Sequence, residues 1–206
     1  MNEHDVPIPE SIIDKVLEES AKGRRFSIVT TVGTVIAVLG ISLSLMHLFF
    51  GYFASPDPIP FRTIHVSAML VLAYLLYPLG RKSWREPPTM LFLVDLLLIA
   101  AVIAIQFYIL RDMRVYEMRI LDPNPTDIMV GTIGILLVIE AARRAVGVPM
   151  VLVVVVIMAH TMVADMLPGS LAGARVDWNT FVTNIFMDVN GIFGLPIQVM
   201  VTYIML

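Results

Sequence analysis

Residues 90–110, "MLFLVDLLLIAAVIAIQFYIL", decide the fold. Within this run the only charged side chain is Asp95. The length matches the roughly 20 residues that a helix needs to cross a bilayer core about 30 Å thick. Asp95 is therefore the residue to explain. A carboxylate at the bilayer centre costs roughly 2.5–3.5 kcal/mol on insertion scales, so an ionisable group inside a span is a functional candidate by default. Asp95 lies about two turns into a span that should begin near Pro88. That depth is close to the headgroups and within reach of an Arg or Lys of "GRKSWR" at 80–85. A helix-to-helix tether is the better reading, ahead of an ion relay.

Working outward, the same pattern recurs. Apolar residues make up 58% of the chain and charged residues 15%, against roughly 45–50% and about 25% in soluble domains. The charges collect at the amino end and in short clusters between apolar runs. That pattern predicts an all-α integral membrane protein, a polytopic helical bundle of about five spans. Spans are expected at Phe26–Phe53, Phe61–Leu79, Pro88–Leu110, Ile128–Ala142 and Val148–Leu167. The three prolines of "SPDPIP" break the first from the second. "TDIMVG" reads as a capped start of the fourth, with Thr126 or Asp127 as the cap. The fourth span is short, and Arg143 and Arg144 would extend it by snorkelling.

The loop after Leu167 is different. "VDWNTFVTNIFMDV" places Trp178, Phe181, Ile185 and Phe186 at three- and four-residue spacing. An amphipathic helix lying in the interface and an extramembrane helix packed on the span ends both fit.

Nine Lys and Arg fall in the amino tail, the second-to-third loop and the fourth-to-fifth turn; five fall in the opposite loops. The positive-inside rule then places the amino end in the cytoplasm and the 111–127 and 168–190 loops outside. The amino end lacks the immediate apolar core of a signal peptide, so the first span should be retained.

Enzymatic motifs are absent. There is no P-loop, no nucleophile elbow and no cysteine, which removes thiolate chemistry and disulfides. His4, His47, His65 and His160 form no pair at metal-ligand spacing, and the membrane histidines read as hydrogen-bonded packing residues. No cofactor or metal is expected, and no basic stripe points to nucleic acid. Glu140 sits one turn before Arg143 and Arg144, so local pairing is its expected role.

The end of the chain is suggestive in another way. From Gly191 to Leu206 there are sixteen uncharged residues. In "NGIFGLP", Asn190, Gly191, Gly194 and Pro196 interrupt an apolar segment. Broken helices of this kind expose backbone groups to ions and substrates in transporters. A helix start capped by Asn190, with Pro196 near its first turn, is the alternative, and spacing favours it. An uncharged "VTYIML" offers no interfacial anchor, so the natural chain is expected to continue past Leu206 with a helix of a further membrane region.

The order "EAARRAVG", an apolar fifth span, a "PG" loop, a short aromatic helix and "GIFGLP" resembles the membrane permease of tripartite ATP-independent periplasmic (TRAP) transporters. The likeness is to the fused form of the TAXI branch, in which a four-span Q-type region precedes a larger M-type region. It covers about Arg62 to Leu206, with "ARRAVG" and "GIFGLP" as its more specific parts. Added to the cytoplasmic segment 1–25 read from the charges, it implies a Q-type scaffold 26–147 and a start of the M-type region over 148–206. It further implies secondary transport of an organic acid in the bacterial inner membrane, coupled to Na+ or H+ and supplied by a periplasmic binding protein. The ion- and substrate-binding loops of the family would lie beyond Leu206, so no ligand site is carried onto these residues. The reading from another class is a self-sufficient small membrane assembly or anchoring subunit.

Overall fold

A computed structural model describes residues 10–53, 58–81, 85–86, 89–188, 191–194, 197 and 199. The architecture is all-α, and five of its helices are long and apolar enough to cross a membrane.

The first helix, α1 (Glu10–Tyr52), is one unbroken element of 43 residues, which at 1.5 Å per residue is about 65 Å long. Only Thr30–Phe50 is apolar enough to span. The residues before Thr30 continue the same helix, with no break at residues 25–26. Helix α2 (Pro58–Leu76) starts three residues earlier than expected. Pro58 and Pro60 fall in its first turn, where a missing N–H breaks no helical bond, so two of the three prolines open α2 instead of preceding it. Its end comes at Leu76, ahead of Pro78 and of Gly80, whose φ of +71° reverses the chain.

Helix α3 (Phe92–Arg111) begins after a tight turn in which the Phe92 N–H donates to the Thr89 carbonyl at 3.0 Å. A short α4 (Met113–Met118) follows within what reads in sequence as a mixed-charge loop. Helix α5 (Pro125–Ala145) is 21 residues long and needs no snorkelling to cross. Its cap is Asn124, not Thr126 or Asp127. Pro125 occupies the first helical position, and Asn124 accepts from the Asp127 N–H at 2.8 Å while the Asp127 carboxylate accepts from the Asn124 N–H at 3.1 Å. That reciprocal pair is a capping box.

Gly147, with φ +109°, turns the chain into α6 (Val148–Val163), which tightens into a 3₁₀ turn over Ala164–Met166. The fifth span thus ends at Met166, one residue short of expectation. Helix α7 (Trp178–Val182) runs into a π turn over Thr183–Met187.

Helix α2 packs on α1, α3 and α5, while α5 also touches α3, α6, α7 and the π turn. One apolar cluster joins Tyr74, Val102, Leu137 and Ala141 across α2, α3 and α5. The other joins Ile109, Val130, Ile135, Val182 and Phe186. Phe181 and Phe186 are buried and Trp178 is 40% exposed, so the aromatic segment packs one face against α5 and leaves the other open. Gly131 and Gly134 admit it: a Cβ at Gly134 would fall on the Phe186 ring, and one at Gly131 on the Val182 side chain. Helix α6, apolar up to His160 and Thr161, buries no residue, which suits a face turned to lipid.

Candidate functional site

Two charged clusters sit at opposite ends of α5. The first gathers Asp95 from α3, Glu140, Arg143 and Arg144 from α5, and Arg81 from the segment after α2. Asp95 is fully buried, and the Arg144 Nη1 donates to its Oδ1 at 2.6 Å. The Leu79 N–H donates to the same carboxylate, 3.2 Å from Oδ2. Arg81 is farther off, 4.0 Å from Oδ2. The tether is therefore to Arg144 foremost, 49 positions away, with the neighbouring "GRKSWR" cation second.

Arg144 does not snorkel. Its side chain is 4% exposed, and its guanidinium lies 5.0 Å from the centre of the Tyr74 ring on α2. Its Nε donates to Glu140 at 2.7 Å. Glu140 also takes two bonds from Arg143, at 2.7 and 2.8 Å, in the bidentate arrangement that guanidinium favours. Tyr74 closes the cluster by donating to the Leu137 carbonyl at 2.7 Å. Four chain segments meet at these charges, and the geometry joins helices.

At the other end Asp127, also fully buried, receives Arg119 as a fork, at 2.7 Å to Oδ2 and 2.8 Å to Oδ1. Tyr108 of α3 donates to Oδ1 at 2.7 Å. The bond to Asp127 holds the Arg119 guanidinium above its usual range, and burial pushes up the phenol of nearby Tyr116. Sequence reasoning missed this cluster by counting Arg119 as a loop charge. The signal was present in Asn124-Pro125-Thr126-Asp127, which has the spacing of a capping box with an acid at its third position.

The histidines divide. The His47 Nδ1 donates to the Leu43 carbonyl at 2.7 Å, and the His160 Nε2 to the Leu171 carbonyl at 3.0 Å. His65 is buried against the His47 ring, centroids 4.9 Å apart, and neither of its nitrogens has a partner among the described residues. That departs from the hydrogen-bonded role expected of it. His4 lies outside the described residues.

Of the four helix-break candidates, Asn190 and Pro196 lie outside the described residues. Gly191 and Gly194 lie in turns. The Gly191 N–H donates to the Asp188 carbonyl at 2.9 Å, the Gly194 N–H to the Gly191 carbonyl at 3.0 Å, and the Ile192 N–H back to the Ile185 carbonyl at 2.7 Å. These turns fold onto the π turn. A Cβ at Gly191 would meet the Ile185 and Asn184 carbonyls, so this close approach needs glycine.

Comparison with known proteins returns no matching family model, no matching curated protein and no matching solved structure.

Proposed function

We propose that these residues form the scaffold portion of a TRAP-type permease, the membrane component of a secondary active transporter. In this reading a Na+ or H+ gradient drives uptake of an organic acid handed over by a periplasmic binding protein. The membrane is the bacterial inner membrane, and the amino end is cytoplasmic. One observation supports the scaffold role most. The "EAARRAVG" run, on which the resemblance leans, ties α5 to α3: Arg144 reaches 2.6 Å to Asp95, while Glu140 of its own helix, 2.7 Å away, steadies the guanidinium. Charges bonded from one helix to another in this way are better suited to fixing helix register than to forming a translocation pathway. Ion and substrate binding then belong to an M-type region that packs on this one.

The test is reconstitution of the complete gene product in proteoliposomes, with its candidate binding protein and an imposed Na+ or H+ gradient. Organic-acid uptake that needs both the gradient and the binding protein is the expected result. Uptake that needs neither, or none with any organic acid while the protein co-purifies with another membrane complex, favours the assembly-subunit reading. Orientation is tested separately with single cysteines in this Cys-free chain. Arg119→Cys and Arg175→Cys should react with an impermeant external reagent and Ser83→Cys should not; the reverse pattern removes the cytoplasmic placement of the amino end.

A further inference from the structure

Among the described residues the Asp95 cluster joins three guanidinium groups (Arg81, Arg143, Arg144) to two carboxylates (Asp95, Glu140), which leaves one positive charge over. Arg143, 40% exposed, can meet water, but the other two cations sit in a poor place for a charge. The side chains of Arg81 and Arg144 are 5% and 4% exposed. The Arg81 Nε and the second terminal nitrogen of Arg144 are buried with no hydrogen-bond partner among the described residues. Guanidinium N–H groups buried without an acceptor are costly, and they call for an anion.

A second observation is independent of the first. An apolar groove of about 590 Å³ runs between α1 and α3 over α2, lined by Val35, Val71, Leu96, Ile99 and Phe107 among others. Its α3 wall extends from Phe92 to Leu110, about 27 Å, which nearly matches the hydrocarbon thickness. Ser67 and Gln106 also line it, but they are bonded to each other at 2.7 Å, so the walls stay apolar in effect. Phe92 forms one end of this groove, and the Arg81 guanidinium lies 5.2 Å from the centre of its ring. Arg81, whose Nη1 donates to the Glu86 carbonyl at 3.0 Å and whose Nε is buried without a partner among the described residues, thus stands beside the Phe92 end of an acyl-sized channel.

We propose that this groove holds an anionic phospholipid, with its phosphate on Arg81 and one acyl chain running from Phe92 along Leu96 and Ile99. Charge decides for a lipid over a partner helix. A basic site between helix ends at the headgroup level, with hydrocarbon space below it, is how membrane proteins select anionic headgroups. A docking helix would favour a stripe of small residues, and this groove is walled mostly by branched and aromatic ones. The site is independent of any transport role.

The experiment uses the full chain in a neutral detergent. Thermal unfolding is followed with added phosphatidylglycerol, phosphatidylcholine or inorganic phosphate, and retained lipid is measured by native mass spectrometry. Phosphatidylglycerol should raise the midpoint and stay bound, and the other two should not. Arg81→Gln should weaken retention about tenfold or more, the scale of one charge-assisted bond. Leu96→Trp, which fills the groove and leaves the charge cluster intact, should also expel the lipid, and it covers the case in which Arg81→Gln does not fold. Equal stabilisation by phosphatidylcholine overturns the headgroup assignment, and equal stabilisation by phosphate overturns the lipid. Unchanged retention in both variants overturns the site.

Discussion

Replacing Asp95 by Asn removes one charge from the most buried ion pair among the described residues, with side chains 4% and 1% exposed, and changes almost nothing in volume. Breaking a buried pair by removing one partner typically costs about 3–5 kcal/mol, because the other charge is left without compensation. Asparagine keeps a carbonyl oxygen for the Leu79 N–H and for Arg144, which recovers about 1 kcal/mol. Arg144 also retains Glu140, 2.7 Å from its Nε. A net loss of about 3 kcal/mol is therefore expected. For a chain of this size that is a fall of roughly 6–12 °C in the unfolding midpoint. The assay is thermal unfolding in detergent of the wild type, Asp95→Asn, Arg144→Gln and the double variant. The double variant should lose less than the two singles combined, with a coupling of about 1–3 kcal/mol, since each single strands a partner that the double removes. A midpoint for Asp95→Asn within about 2 °C of wild type, a shift below 1 kcal/mol on that scale, refutes the reasoning, and so does strict additivity.

Three further outcomes are expected. Gly134→Ala should cost about 1–3 kcal/mol by pushing the Phe186 ring off α5, whereas Gly40→Ala, with nothing within 4 Å of its Cβ, should be neutral or stabilising by up to about 1 kcal/mol; equal melting shifts for the two would contradict the packing. His65→Phe should leave the midpoint unchanged or raise it, because an aromatic replaces a buried ring whose nitrogens are unpartnered, and a fall of several degrees would reveal a partner for that ring. Bonds from Thr180 hold the Asp177 carboxyl below its usual range, so its support of α7 is present above the unfolded-state value of about 3.9 and is lost as pH falls through the lower folded value. Trp178 fluorescence in a Trp84→Phe background should therefore shift only at acid pH, and Asp177→Asn should abolish that shift.

How far the sequence could be read depended on the range of the interaction. Hydropathy is a local sum over about 20 residues, so all five spans were legible, with ends displaced by up to four residues where Pro58, Pro60 or the Thr89 turn shaped the first turn. The all-α bundle followed from the same signal. Asp95 could be placed near one end of its span, though it lies in the first turn of α3 and not two turns in, and a search among neighbouring cations pointed to an Arg or Lys of "GRKSWR". Arg144 is 49 positions off, and nothing in periodicity pairs one helix end with another. Glu140 was local to its partners and easy. Asp127 was hidden by its neighbourhood, since a capping residue and a buried counter-ion to Arg119 look alike in sequence. The aromatic segment showed its apolar spacing, yet what receives it is the absence of side chains at Gly131 and Gly134, which carries no hydropathy signal.

The two charged clusters have a joint effect that neither has alone. Helices α3 and α5 run antiparallel and are joined near both ends: Asp95 to Arg144 at one, Tyr108 to Asp127 at the other. The pins are 13 residues apart along α3, or about 20 Å, and 17 apart along α5, or about 26 Å. A rod fixed at one point can pivot, and a rod fixed at two cannot. Sliding by a single turn, about 5.4 Å, would break both pins together. The α3–α5 pair therefore behaves as a splint, and bending or displacement within the bundle is left to α1 and α6, the spans with the least buried surface.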